Sequence, residues 1–79
     1  MITILLFANL QEEIGTNQLN INLDNKELNV LHIKEWLKKT YHLQSLNQVM
    51  IAINECYATD DVVVSDGDTI AFIPPVSGG

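Results

Sequence analysis

A small α+β domain, one main helix laid across a mixed sheet, is the fold class this sequence predicts, on three observations. Runs that are apolar at nearly every position lie at residues 1–7 (Met-Ile-Thr-Ile-Leu-Leu-Phe) and 69–73 (Thr-Ile-Ala-Phe-Ile), as expected of central strands covered on both faces. Between them, residues 30–41 carry apolar side chains at helical spacing. And 79 residues hold one core at most, which a single sheet with one helix across it fills economically.

The elements follow in order. Residues 1–7 form the first strand. Asn9 followed by Glu12 has the spacing of a capping box, and Gly15 suits the left-handed end of the short helix between them. Over residues 18–24, Leu19, Ile21 and Leu23 alternate with Asn20, Asn22 and Asp24, a strand with one wet face. Asp24-Asn25 then supplies turn chemistry. Asn29 is the expected N-cap of the main helix, in which Val30, Ile33, Leu37 and Tyr41 recur at spacings of three and four. Trp36 lies beside that stripe and is expected in the core. Glu35 and Lys39 are spaced to pair, and Lys38 and Lys39 complement the helix dipole. Residues 49–53 form a second apolar run that ends in an expected turn at Asn54-Glu55. Residues 62–64 and 69–73 flank Ser65-Asp66-Gly67-Asp68, where Asp-Gly marks a tight turn. If the first and last strands lie parallel and adjacent at the centre, both apolar runs are accounted for. That is the β-grasp arrangement, although the pattern also permits other small α+β folds.

Charge excludes several functions. Ten acidic and four basic residues give −6 at pH 7, and there is no arginine. Nucleic-acid binding needs clustered Lys and Arg, so neither DNA nor RNA is an expected partner. Anionic membrane surfaces are disfavoured for the same reason. The apolar opening is too short for a secretory signal and lacks a basic flank, and no run approaches a membrane span, so the expected compartment is the cytoplasm.

The internal chemistry is sparse. His32 and His42 lie near no cysteine and in no zinc-site spacing, so no metal is expected. Cys56, the single cysteine, follows Glu55, whose charge disfavours a thiolate; it reads as a thiol at a turn edge. Asp60, Asp61, Asp66 and Asp68 lack the frame of a calcium loop and read as turn and solubility residues. No glycine-rich phosphate loop is present. The exception is the end of the sequence, Pro74-Pro75-Val76-Ser77-Gly78-Gly79. Two prolines stop sheet pairing and hold the backbone extended, while Gly78 and Gly79 leave a carboxylate slim enough for a narrow channel. Residues 1–73 are therefore expected to form the domain and residues 74–79 an extended arm. Gly-Gly alone would also suit a frayed end. The preceding Pro-Pro, directly after an apolar strand, tips the balance, since a frayed end gains nothing from stiffening.

With these features the sequence resembles the small, sulfur-carrying subunits of molybdopterin synthase, a ubiquitin-like β-grasp family. The likeness runs from Phe7-Ala8 and Gly15 through Ile51-Ala52-Ile53-Asn54, and is most specific over residues 66–73 and the Pro-Pro-Val-Ser-Gly-Gly ending. It implies that Gly79 is the reacting residue: its carboxylate is adenylated with ATP by a partner activating enzyme, then converted to a thiocarboxylate by a sulfur donor. Pro74, Pro75, Val76, Ser77 and Gly78 would insert into the large catalytic subunit. There the sulfur passes to cyclic pyranopterin monophosphate, and two rounds build the molybdopterin dithiolene. The likeness also implies two small and two large subunits, no bound cofactor, and partner contacts through Phe7, Tyr57, Ile73 and Val76, although the first three also suit core or edge packing. The negative charge predicts basic partner patches and association that slows with salt. Alternatives are a carrier for thiamine or cysteine synthesis, against which the Pro-Pro-Val-Ser block argues, a protein modifier attached through Gly79 to lysines, and an interaction module with an inert end.

Overall fold

The computed structural model describes residues 1–24, 26–43, 46 and 49–74. Asn25 and residues 75–79, on which parts of the expected turn and arm fall, lie outside the described residues. The elements are β1 (Ile2–Leu6), α1 (Asn9–Ile14), β2 (Gln18–Ile21), β3 (Leu28–Asn29), α2 (Val30–Tyr41), β4 (Met50–Ile53), β5 (Cys56–Ala58), β6 (Val63–Val64) and β7 (Thr69–Ile73). Five strands form the main sheet in the order β2-β1-β7-β4-β5, and β3 pairs with β6 in a second, small sheet. The central pair β1 and β7 is parallel, with Ile4 opposite Ile70 and Leu6 opposite Phe72. The other pairs are antiparallel.

Alternation decides which face of the sheet is core. Ile2, Ile4 and Leu6 of β1 and Ile70 and Phe72 of β7 are fully buried, together with Val30, Ile33 and Leu37 of α2. The intervening Thr3, Leu5, Ala71 and Ile73 are half-buried. The expectation that the apolar runs are covered on both faces is thus corrected. Helix α2 covers one face of the sheet, and the apolar residues of the other remain partly open.

The main helix begins as expected. The Asn29 Oδ1 accepts from the His32 N–H at 2.9 Å, and the Asn29 N–H donates to His32 Nδ1 at 3.2 Å. Histidine thus fills the place that a glutamate takes in the usual reciprocal cap. The same box does not form on α1. Ala8 is the N-cap there, at φ 52 and ψ −129, with no side-chain bond. The Phe7 carbonyl accepts from Leu10 N–H at 3.2 Å, a tight turn that makes Asn9 the first helical residue rather than the cap. Gly15 ends α1 in the left-handed conformation as expected, its N–H donating to Gln11 O.

Further expectations are corrected. Trp36 is 40% exposed and meets Tyr41 edge-on, with ring centroids 6.1 Å apart; it flanks the buried stripe instead of joining it. Glu35 and Lys39 form no ion pair, while Lys34 Nζ reaches Asp60 Oδ1 at 2.7 Å. The second strand stops at Ile21, because the Asn22 Oδ1 takes the Asp24 N–H at 3.0 Å and turns the chain. The tight turn expected at Asp66-Gly67 is present, closed by the Asp68 N–H donating to Ser65 O at 3.0 Å, and it links the small sheet to the large one. Strands β3 and β5 were not foreseen at all.

Candidate docking face and the root of the C-terminal arm

The open face of the sheet is built from the odd residues of β1 and β7. Register places Leu5 beside Ala71, Ala71 beside Ala52, and Ala52 beside Tyr57, one row across four strands. Its middle is two alanines. Larger side chains surround them, leaving a groove of about 670 Å³ whose lining includes Leu5, Phe7, Ala52, Tyr57, Ala71 and Ile73. The sequence-predicted contact residues Phe7, Tyr57 and Ile73 therefore come together around one depression. Tyr57 is 75% exposed and Phe7 45%. Exposed aromatics around an apolar floor are the composition of an interface core. Met50, opposite Ile73, extends the apolar surface. Sequence reading missed Leu5, Ala52 and Ala71; their signal was the unbroken apolarity of these strands, which was assigned to burial within the domain.

Local structure holds the aromatic rim in place. Asn54 and Glu55 both take positive φ, at 50° and 72°, the two-residue hairpin that turns β4 into β5 and sets Tyr57 over Ala52. Asn54 also ties this hairpin to β7. Its backbone N–H donates to Thr69 O at 2.8 Å, its Oδ1 accepts from Thr69 N–H at 3.0 Å, and its Nδ2 donates to Asp68 Oδ1 at 3.0 Å. Phe7 follows β1 directly and so stands near the end of β7, where Pro74 leaves the sheet half-buried. The groove thus lies at the root of the arm. Val76 and the other arm residues from Pro75 to Gly79 lie outside the described residues.

The remaining candidates resolve into structural roles. Asp68 Oδ2 accepts from Ser65 N–H at 2.8 Å. Asp66 meets the N-terminal ammonium and Asp60 meets Lys34. The Thr59 hydroxyl donates to Asp61, and with a backbone bond it holds that carboxyl below its ordinary value. Among the described residues no three His, Cys, Asp or Glu side chains are grouped to hold a metal. Cys56 is exposed on β5, His32 serves the cap, and His42 ends α2 in the left-handed conformation. No helix among the described residues is long and apolar enough to cross a membrane. The described residues thus bring together an apolar surface suited to binding.

Comparison with known proteins agrees with this arrangement. The family model described as "ThiS family" matches residues 4–79. A molybdopterin synthase sulfur carrier subunit from Arabidopsis thaliana is 34% identical over 79 residues, covering 99% of this chain and 82% of the relative. Among solved structures, SAMP1 from Haloferax volcanii superposes with a TM-score of 0.82 at 23% identity, over 99% of this chain and 98% of that one. The complex of subunits 1 and 2 of molybdopterin-converting factor from Helicobacter pylori contains a chain that matches with a TM-score of 0.68 at 24% identity, over 99% of this chain and 97% of that one. The β-grasp topology, the open sheet face and the match through residue 79 converge: this chain belongs to the ThiS family and has the ubiquitin-like β-grasp fold.

Proposed function

We propose that this chain is the sulfur-carrier subunit of a molybdopterin synthase and that Gly79 carries the sulfur. The observation that supports it most is the apolar, alanine-floored groove on the open sheet face, set where the arm leaves β7. A partner seated on that groove holds the root of the arm and so confines where its end can reach. The names of the relatives support the same reading.

The chemistry follows from the poor electrophilicity of a free carboxylate. In an activating enzyme, a Gly79 carboxylate oxygen attacks the α-phosphorus of ATP and pyrophosphate leaves. Sulfur from a donor then displaces AMP from the acyl carbon, giving a thiocarboxylate. The arm enters the large catalytic subunit, and the sulfur passes to cyclic pyranopterin monophosphate; two rounds complete the dithiolene. ATP is thus a substrate of the activating enzyme, and the carrier holds no cofactor of its own. Residues 1–73 act as the docking body and residues 74–79 as the arm, stiff at Pro74-Pro75 and slim at Gly78-Gly79. Val76 and Ser77 are delivered with it. The chain acts as the sulfur-donating part of a sulfurtransferase, in the cytoplasm, in an assembly of two small and two large subunits whose acid and base groups belong to the large one.

Reconstitution tests this reading. The protein, its activating enzyme, ATP and a sulfur donor, followed by the large subunit and cyclic pyranopterin monophosphate, are expected to yield the dithiolene product. Deleting Gly79 is expected to abolish it. Product formation without Gly79, or conjugation of Gly79 to lysines in place of product, contradicts the proposal.

A further inference from the structure

Helix α2 carries a second concavity, on the side of the sheet away from the groove. It measures about 630 Å³, and Leu28, His32, Trp36, Lys38, Lys39 and Leu43 are among its lining residues. We propose that it is a second protein-docking site, which takes a short acidic segment of a partner bearing at least one large apolar side chain. The site is independent of the sulfur-carrier reading and uses none of the residues around the arm.

Charge complementarity points to this occupant. Helix α2 holds three of the four lysines and one of the ten acidic residues of the chain. Lys34 is engaged by Asp60, whereas Lys38 and Lys39 are exposed and form no ion pair among the described residues. Their place in the last turn of α2 accounts for two cations through the helix dipole. It does not account for the apolar surface beside them. Trp36 meets Tyr41 edge-on with 40% of its surface open, and it shares the lining with half-buried Leu28 and buried Leu43. A fixed, partly open tryptophan with apolar neighbours and a cationic rim has the make-up of a binding hot spot. Because His32 Nδ1 accepts the Asn29 N–H, its Nε2 remains as the donor. Glu35, the one acidic residue of the lining, disfavours an unbroken anionic ligand.

A nucleic acid or an anionic membrane would meet the −6 charge of the whole molecule, without arginine to offset it. A second copy of the chain would bring another −6 with it. A short acidic segment presents its charge to the two lysines alone, and its apolar side chain covers Trp36.

Trp36 is the sole tryptophan, so its fluorescence reports on the site directly. The probe is a short synthetic peptide of Asp, Glu and Leu, with controls in which Lys replaces the acids or Ser replaces Leu. A saturable blue shift is expected with the acidic Leu peptide and not with the controls. High salt should weaken it, and Lys38→Glu with Lys39→Glu should weaken it by roughly tenfold or more. Circular dichroism of that variant, expected to match the parent protein, keeps loss of fold from imitating loss of binding. An equal response to all peptides, no response, or a response unchanged in the double variant overturns the proposal. A peptide-free blue shift that grows with protein concentration, with dimers in sedimentation, also overturns it and assigns the surface to a second copy.

Discussion

At Ala8 the backbone adopts φ 52 and ψ −129, a conformation that suits glycine and costs an alanine about 1–3 kcal/mol. Ala8→Gly is therefore expected to raise stability by about 1 kcal/mol in urea unfolding; a loss would show that the alanine methyl makes a compensating contact. The same turn explains why the capping box at Asn9 was misread. Residue type and spacing were right, but the turn from Phe7 to Leu10 had already placed Asn9 inside the helix. Asp61 shows the opposite case, a side chain whose role only the folded chain reveals. Its carboxyl is held low by the Thr59 hydroxyl first and a backbone bond second. A depressed folded pKa contributes stability above the unfolded value, near 3.8, and that contribution is lost as pH falls through the folded one. Thr59→Val is expected to move the Asp61 titration upward in NMR; an unmoved titration would remove the hydroxyl as the cause.

Among the elements, α2 was the most legible. Its periodicity named Val30, Ile33 and Leu37, all buried, and Tyr41, half-buried against the core, and its cap named Asn29, which bonds as expected. Asn29→Ala leaves the His32 N–H without its partner and is expected to cost about 1 kcal/mol. Chemical denaturation checks this, and an unchanged midpoint would mean that water replaces the cap. The strands were read less well. β3 has two residues and β5 three, too few for a period to show, and each exists because its partner strand lies alongside. Apolar runs at β1, β4 and β7 were seen, but sequence cannot tell a face covered by its own domain from one kept for another protein. Ala71, on the groove floor, separates the two. Ala71→Glu places a charge on the open face, so stability should change by less than about 1 kcal/mol. Affinity for the large subunit, measured by calorimetry, should fall by roughly tenfold or more. Undiminished binding would move the interface elsewhere.

For the whole molecule, the parallel pairing of β1 with β7 at the centre of the sheet was expected from two apolar runs and is present. This pairing brings Phe7, near the beginning of the chain, to the strand end from which the arm departs. Tyr57 reaches the same groove through β4 and β5. The folded domain thereby gathers an apolar groove on the open sheet face, while Asp60, Asp61, Asp66 and Asp68 are engaged at Lys34, at turns and at the N-terminus. Such a division suits a body that docks and an arm that reacts elsewhere. The central claim is that Gly79 carries sulfur, and intact-mass spectrometry of untagged protein from its native host tests it most directly. A fraction heavier by one sulfur-for-oxygen exchange, localised to Gly79, is the predicted result. A single unmodified mass, persisting after incubation with the activating enzyme, ATP and a sulfur donor, would contradict it.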